Sequence, residues 1–384
     1  MTGLILAITL ALVAAGCGSD DADVDAAGTS ADETATGSGS SAADDQAGDE
    51  TDDAEDPAEE DTGDDAENTA GEDAEDTAGE DADTGSREVE TSFGTVEVPN
   101  DPQRVLALDE YAAMSMLAVG IEPMEVVGSY SSLVSQEILT DAGVSVERTD
   151  TSELNLEAIA GARPDVIVVT AESAFMANFE PLSEIAPTVI LPYIAPWRDV
   201  LADTGRIFGR DAEAANVTAA LETKIAEVDA TVEANPYSLS ILGDTFGIVF
   251  AVSQEAVLSA VAGEVGVDRP AAQAEGESMP GIESVIAIST EVIGDHDADV
   301  VAVMSGVFYN ESTILDTATY QGLSAVQAGN GVVVDGDMWF GTHPFAIYWI
   351  LEDLESLALG QGADGIGTMD DITERWTGYL ELVG

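Results

Sequence analysis

Aromatic side chains lie in or just after several segments that the sequence predicts as β-strands. Aromatic rings pack against organic groups, and an arginine beside them can pair with an anionic one. Open α/β sheets place ligands beyond the carboxyl ends of their strands, which makes these residues candidates for a binding cleft. They are Tyr111, Tyr130, Trp197 and Arg198 in the first half of the chain, and Phe250, Phe308, Tyr309, Trp339, Phe340 and His343 in the second.

The motifs of common enzymes are missing from the sequence. There is no GxxxxGK[ST] phosphate loop, no GxGxxG after a predicted strand, no HExxH and no GxSxG. The only histidines are His296 and His343, and the only cysteine is Cys17, which disfavours a Ser–His–Asp triad, a zinc cluster and an iron–sulfur site. We therefore expect no catalytic residues and no cofactor of the protein's own.

The formal net charge of −66 arises from 76 acidic residues against 10 lysines and arginines. Binding to nucleic acid requires clustered lysine and arginine to neutralise phosphates, so a nucleic-acid partner is excluded. Such an acidic chain should remain soluble and should be repelled by anionic surfaces.

The first 86 residues predict an anchor and a tether. The apolar run from Leu4 to Ala15 is too short to span a membrane comfortably and resembles a secretory signal. Ala14-Ala15-Gly16-Cys17 resembles the bacterial lipobox, in which the cysteine carries the lipid; the family prefers Leu where Ala14 stands. Residues 18–86 are rich in Asp, Glu, Ala, Gly, Ser and Thr and predict a disordered linker. We expect residues 1–17 to be a lipoprotein signal peptide and Cys17 to be lipidated at the extracytoplasmic face of a bacterial membrane.

From Arg87 onward, buried-type strands alternate with helices, and the alternation occurs twice. The strands of the first half are predicted at 104–108, 125–128, 166–169 and 188–191, and those of the second half at 241–242, 247–250, 300–303 and 331–334. ARPDVIVV in the first half corresponds to DADVVAV in the second. The pattern predicts an α/β fold with two Rossmann-like lobes and mainly parallel sheets, at 87–207 and 236–384.

One long helix is predicted between the lobes, within 208–235. Its apolar residues recur at intervals of three and four, which is one face of an α-helix. They are Val217, Leu221, Ile225, Val228 and Val232. We expect the helix to run from Ala212 to Ala234 with Asp211 as its N-cap. A continuous helix between lobes predicts lobe movements of a few degrees to about ten rather than wide closure.

From about Phe93 to the C-terminus, the chain resembles the substrate-binding lipoproteins of ABC transporters that import ferric siderophores, haem and cobalamin. The resemblance rests on the order and spacing of these segments: FGTVEVPNDPQRVLALD, NLEAIAGARPDVIVV, LSEIAPTV, WRDVLADTGRIFGR, ISTEVIGDHDADVVAV and GLSAVQAGNGVVVDGDMWF. It implies two lobes joined by a helix, with the ligand between them. It also implies that Glu157 and Glu291, one in each lobe, dock with arginine pockets of the permease.

The ligand remains open at this level. With one arginine near the expected cleft, a neutral or cationic hydroxamate chelate is favoured over an anionic catecholate, and iron enters only as part of the chelate. His343, with Met338 nearby, leaves haem open, and cobalamin is the other alternative. A secreted α/β enzyme and a surface adhesin on an acidic stalk are alternatives from other classes. We expect a monomer that meets the permease subunits at the membrane.

Overall fold

The computed structural model describes residues 85–91, 94–129, 132–148, 154–171, 178–192, 195–280 and 282–384, without the side chains of residues 128, 129, 147 and 148. The predicted signal peptide with Cys17, nearly all of the predicted linker and the candidate Tyr130 lie outside these residues. An antiparallel hairpin of β1 (Ser86–Thr91) and β2 (Gly94–Pro99) opens the described part.

The first lobe contains a five-stranded, fully parallel sheet. Its strands are β3 (Val105–Asp109), β4 (Glu125–Ser129), β5 (Ser145–Arg148), β6 (Val166–Thr170) and β7 (Thr188–Leu191). They lie in the order β5-β4-β3-β6-β7. Every residue of β3, β6 and β7 is buried, because helices cover both faces of the sheet. These helices are α1 (Glu110–Ala118), α2 (Leu133–Asp141), α3 (Leu156–Ala162), α4 (Phe179–Ile185) and α5 (Trp197–Phe208).

The second lobe repeats this strand order around a mixed sheet. Its strands are β8 (Leu239–Thr245), β9 (Ile248–Val252), β10 (Val285–Ala287), β11 (Val300–Ser305) and β12 (Gly331–Asp335), in the order β10-β9-β8-β11-β12. β9 is antiparallel to both of its neighbours. Only Phe246 and Gly247 separate β8 from β9, and a connection that short permits a hairpin but not a parallel crossover. The expected two-lobed α/β architecture is confirmed, with this one antiparallel strand as a refinement.

The helices of the second lobe are mostly short. They are α7 (Val257–Glu264), α8 (Ala271–Ala274), α9 (Ser312–Leu315), α10 (Ala318–Gln321), α11 (Ser324–Gln327), α12 (Gly336–Trp339), α13 (Pro344–Ala358) and α14 (Ile372–Val383). Three 3₁₀ helices span Thr290–His296, Gly362–Gly365 and Met369–Asp371.

The same aspartate contact recurs in both lobes. Asp165 precedes β6, and its Oδ2 accepts hydrogen bonds from the backbone of Gln103 and Arg104 at 2.9 and 3.0 Å. Asp299 precedes β11, and its Oδ2 accepts from the backbone and hydroxyl of Ser238 at 2.9 and 2.8 Å. Asp165 thus links the start of β6 to the start of β3, and Asp299 links the start of β11 to the start of β8.

The predicted interdomain helix is α6, Asp211–Ala234. Its 24 residues give a length of about 36 Å at 1.5 Å per residue. All five predicted apolar positions are buried, together with Ala214. The N-cap prediction was wrong by one position: Arg210 precedes the helix without a capping hydrogen bond from its side chain, and Asp211 is the first helical residue. There the carboxylate faces the positive end of the helix dipole.

Close packing and ion pairs fix α6 against both lobes. A Cβ on Gly205 of α5 would lie 2.7 Å from the Cβ of Ala214, so glycine is what lets these two helices approach. On another side, Nζ of Lys224 is 2.7 Å from Oε2 of Glu355 on α13 and also pairs with Glu352. Across the described residues, no helix is both long enough and apolar enough to cross a membrane.

Candidate functional site

Loops from the carboxyl ends of the strands in the two lobes meet across a cleft. Tyr111 follows β3, and its ring centre lies 6.3 Å from that of His343, which lies beyond β12. Met338, also beyond β12, places its sulfur 3.5 Å from the hydroxyl oxygen of Ser132, which follows β4. Both contacts join segments that follow the strand ends of different lobes, so the two lobes meet at these ends.

Two buried carboxylates hold the loops of the first lobe. Asp109 lies where the strand order reverses between β3 and β6; its Oδ1 accepts from the backbone of Ala112 at 2.7 Å and its Oδ2 from that of Thr170 at 2.8 Å. Burial raises the pKa of Asp109, and these hydrogen bonds oppose that rise. Glu110 accepts from the backbone of Ser132 at 2.9 Å. These contacts hold together the segments that follow β3, β4 and β6.

An exposed aromatic pair marks the second lobe at the corresponding strand ends. Phe308 follows β11 and is 40% exposed, and Phe246 at the tip of the β8–β9 hairpin is 85% exposed. Their ring centres are 6.1 Å apart and their planes are tilted by 51°. The hydroxyl of Thr245 donates to the carbonyl oxygen of Phe308 at 2.9 Å, which holds the two strand ends together. This pair offers open apolar surface to a ligand.

Phe246 was not among the candidates from the sequence. Its φ of +53° lies in the left-handed region, and that of the following Gly247 is +80°. Two-residue hairpin turns with two positive φ values favour Asn-Gly, so phenylalanine here is strained. The sequence signal that could have identified it is Phe246 directly before Gly247, because asparagine is the favoured residue at that position of a two-residue turn.

Behind the exposed pair, three of the predicted residues form an aromatic layer. The rings of Tyr309 and Phe340 stack with centres 6.3 Å apart and planes 20° from parallel. The ring of Phe250 lies 6.4 Å from each of them. Phe250 is buried, whereas Tyr309 and Phe340 are partly exposed. Tyr309 and Phe340 can thus contact a ligand, and Phe250 supports them from below.

Two other predicted ligand contacts lie in the core. Trp339 is fully buried and donates from its indole nitrogen to Oδ2 of Asp353 at 2.8 Å. His343 is buried, and its Nδ1 accepts from the backbone of Ala346 at 3.2 Å as the N-cap of α13. Burial lowers the pKa of His343 to about 3, which keeps the ring neutral. Neither ring has surface available for a ligand, because core packing and capping occupy both.

Arg198 also serves a different role from the one expected. Its Nη1 and Nη2 lie 3.0 Å from the two carboxylate oxygens of Glu264 at the end of α7, and its Nε lies 3.2 Å from Glu222 on α6. The guanidinium covers the ring of Trp197, 4.3 Å from its centre, and Trp197 itself is buried. Arg198 therefore links the first lobe to the interdomain helix and the second lobe, and its charge is already paired.

Glu157 and Glu291 lie at equivalent places in the two lobes. Glu157 is in the first turn of α3, between β5 and β6, and Glu291 is in the first turn of the 3₁₀ helix between β10 and β11. Both are exposed, and neither pairs with a cationic side chain among the described residues. Each lobe thus has one accessible carboxylate at the corresponding position, in the helix that precedes its fourth strand.

A cavity of about 770 Å³ lies away from the cleft, among residues of the C-terminal region such as Tyr348, Glu352 and Arg375. No described residue of the first lobe lines it, and its lining is rich in carboxylates. Its size alone does not make it the ligand site. Within the described residues, no group of three or more His, Cys, Asp or Glu side chains is placed to hold a metal ion.

Comparison with known proteins identifies the family and supports the fold. A family model described as "Periplasmic binding protein" matches residues 117–338. In Bacillus subtilis, the putative ABC transporter substrate-binding lipoprotein YhfQ is 25% identical over 65% of this chain and 81% of its own length. The probable siderophore-binding lipoprotein YfiY of the same species is 26% identical over 71% of this chain and 88% of its own length.

Among solved structures, the FhuD protein from S. pseudintermedius has a similar fold, with a TM-score of 0.58. At 21% identity, it covers 72% of this chain and 99% of its own. The relatives are named as binding proteins rather than enzymes, which confirms the expectation of a non-enzymatic protein. Together, the matched family model and the two-lobed fold show that the chain belongs to the periplasmic binding protein family.

Proposed function

We propose that this protein is the extracytoplasmic solute-binding component of an ABC importer and that it captures a ferric siderophore in the cleft between its lobes. The exposed pair of Phe246 and Phe308 at the strand ends is the observation that carries the proposal. Apolar surface of this kind packs against the organic shell of a chelate. YfiY, one of the relatives described above, is named a probable siderophore-binding lipoprotein, which supports the same ligand class.

The charges around the cleft favour a hydroxamate chelate over a catecholate. Arg198, the cationic candidate from the sequence, is already paired with Glu222 and Glu264. Asp335 and Asp337 add carboxylates at the end of β12. Ferric hydroxamates are neutral or cationic, whereas ferric catecholates carry several negative charges, which such a cleft repels.

Delivery to the membrane completes the proposal. Cys17 would carry the lipid that anchors the chain, with residues 18–86 as its tether. Glu157 and Glu291 would dock with cationic pockets of the permease, one from each lobe, and the protein would act as a monomer. The exposure of both glutamates supports this role. Iron would enter only as part of the chelate, without a resident cofactor.

Haem and cobalamin are the alternative ligands. Haem ligation would use His343, which lies near Met338 in the sequence. Because the Nδ1 of His343 caps α13 and the ring is buried, His343 is not available to ligate haem iron. Nothing in the described cleft specifically favours cobalamin.

Tryptophan fluorescence can test the ligand class, because the chain has four tryptophans and Trp339 lies directly before Phe340 in the cleft. The protein would be titrated with ferric hydroxamates, ferric catecholates, haem and cobalamin. We expect saturable quenching by ferric hydroxamates at sub-micromolar concentration. Tighter quenching by haem or cobalamin would replace the ligand assignment, and absence of saturable quenching across the panel would overturn the proposed function.

A further inference from the structure

A second concavity opens beside the cleft, between the lobes. Its volume is about 380 Å³. Leu133 of α2 contributes the wall from the first lobe, and Val307, Val333 and Met369 contribute apolar walls from the second. A neighbouring cavity of about 330 Å³ shares Leu133 and Met369 with it. An extended aliphatic arm of a ligand in the cleft thus has a lined path between the lobes.

One carboxylate that lines this cavity has an oxygen open to a ligand. Asp337 is 4% exposed, and its Oδ2 accepts from the backbone nitrogen of Val307 at 3.1 Å. Among the described residues, Val307 is the one that donates a hydrogen bond to this carboxylate, and Oδ1 accepts none. A Cβ on Gly306 would lie 2.4 Å from Oδ2, so glycine is what leaves room for this carboxylate. The residue is nearly buried but its Oδ1 is open to the cavity, so a ligand there can donate to it.

The charge of the cavity has one sign. Among the described residues that line it, none is lysine, arginine or histidine. Its second carboxylate, Asp335, accepts from the backbone of Met338 at 2.9 Å through Oδ1 and lies close enough to add to the negative potential at Asp337. The free acceptor, the apolar walls and the negative potential together suit an alkyl chain that ends in a cation.

We propose that this cavity binds a primary alkylammonium group at the end of an arm of the chelate, with the ammonium donating to Oδ1 of Asp337. This inference rests on the proposed function, since the arm belongs to a chelate held in the cleft. The aliphatic part of the arm packs against Leu133, Val307 and Met369. The ammonium supplies the missing donor and offsets the repulsion between Asp335 and Asp337.

The proposal implies that affinity depends on pH. Burial, with the adjacent Asp335, raises the pKa of Asp337 to about 7. Burial also raises the pKa of Asp335, which is the only other titratable group among the described residues that line the cavity. Below neutral pH, Asp337 holds a proton and attracts an ammonium less strongly; above it, the carboxylate is charged. An ammonium-bearing chelate should therefore bind more tightly at pH 8 than at pH 6.

The test uses two probes that differ in one group. Ferrioxamine B is a linear ferric trihydroxamate with a free primary amine, and its N-acetyl derivative keeps the chelate but loses the cation. We expect the unmodified protein to bind ferrioxamine B at least about tenfold more tightly at pH 8, as one charged hydrogen bond would give. This preference should shrink at pH 6. Isothermal titration measures both affinities.

Two variants localise the effect. Asp337→Asn keeps the acceptor for Val307 and removes the charge, and it should abolish the preference for the free amine. Asp316→Asn removes an exposed carboxylate elsewhere on the second lobe and should leave the preference intact. The comparison of the two chelates on the unmodified protein remains decisive if Asp337→Asn fails to fold.

The outcomes separate the two proposals. Equal binding of both chelates at pH 8 would overturn the ammonium site while the siderophore function stands. Binding of neither hydroxamate, nor of any other ferric chelate, would overturn both. A preference for the free amine that survives in Asp337→Asn would place the cation elsewhere and overturn this site.

Discussion

The ring of Phe246 lies 6.1 Å from the ring of Phe308, although the two residues belong to different connections of the second lobe. Phe246 turns the β8–β9 hairpin in a left-handed conformation that phenylalanine rarely adopts, and it is mostly exposed there. Phe246 does not stabilise the fold, because its ring is mostly exposed and its backbone is strained. The strain is consistent with a role in holding a ligand.

Phe246→Asn separates stability from binding. Asparagine tolerates the left-handed conformation, and the turn becomes Asn-Gly, so the free energy of unfolding should rise by roughly 0.5–1 kcal/mol. Ferric chelate affinity should fall by about tenfold, in line with one lost aromatic contact. Urea unfolding and fluorescence titration measure the two effects. Leu359→Asn, at another exposed apolar position, should leave affinity unchanged; unchanged affinity in Phe246→Asn would remove this ring from the site.

Arg198→Met should loosen the lobes. The change removes the two-pronged pair with Glu264 and the contact with Glu222, while the methionine keeps most of the apolar stem over Trp197. We expect a loss of about 1 kcal/mol, because the pairs are partly exposed. We also expect the lobes of the variant to rotate further on ligand binding than the few degrees predicted for the unmodified protein. Small-angle scattering would show this as a larger decrease in the radius of gyration.

Arg206→Met is the matched control for Arg198→Met, since Arg206 pairs with Asp203 inside α5 and bridges no lobes. Equal scattering changes in the two variants would show that the Arg198 contacts do not restrain the lobes. A wide contraction in the unmodified protein would contradict the stiffness attributed to α6.

Replacing Glu157 and Glu291 together by alanine should abolish uptake while ligand binding persists. Both side chains are exposed and distant in sequence from the cleft candidates, so the fold and the chelate site should remain intact. Transport of a radiolabelled iron chelate into cells, beside fluorescence titration of the purified variant, measures the two properties. Alanine at the exposed Glu180 and Glu184 is the control pair. Normal uptake by the Glu157, Glu291 variant would refute the docking role.

Asp337 should make stability fall as pH rises from about 4 to 7. Its pKa is raised from 3.8 to about 7 in the folded protein, so between these values the folded state holds a proton that the unfolded chain releases. The stabilising effect of that proton is complete at low pH and is lost through this window. Relative to the unmodified protein, Asp337→Asn should therefore gain up to roughly 4 kcal/mol between pH 4 and pH 8.

Urea unfolding of both proteins across this pH range measures the gain in Asp337→Asn. Asp316→Asn controls for the removal of one negative charge from the second lobe. A difference between Asp337→Asn and the unmodified protein that does not change with pH would contradict the elevated pKa.

The periodic parts of the fold were predictable because burial imposes its pattern on the sequence. The face of α6 from Val217 to Val232 was identified from its spacing, and the structure buries every one of those positions. The repeated Pro-Asp-Val and Ala-Asp-Val segments marked the paired lobes. Segments with weak periodicity were not assigned, and they include α2, α4, β5 and the C-terminal α14.

The site was less predictable, because residue type does not state which way a side chain points. From their chemistry, Trp339, His343 and Arg198 were predicted to line a cleft. In the structure, Trp339 lies in the core, His343 caps a helix, and Arg198 forms an ion pair between the lobes. Phe246 and Asp337 were not singled out, because exposure of the first and burial of the second arise from distant segments.

By itself, the sequence determined the α/β class, the two lobes, the long helix between them and the resemblance to binding proteins, since hydrophobic spacing and segment order are local or sequential properties. Only the tertiary structure decided which aromatic rings are open at the cleft and which cations are already paired. It also decided that a carboxylate faces a cavity between the lobes. These are properties of contacts between residues far apart in the chain, such as Arg198 with Glu264 and Leu133 opposite Asp337.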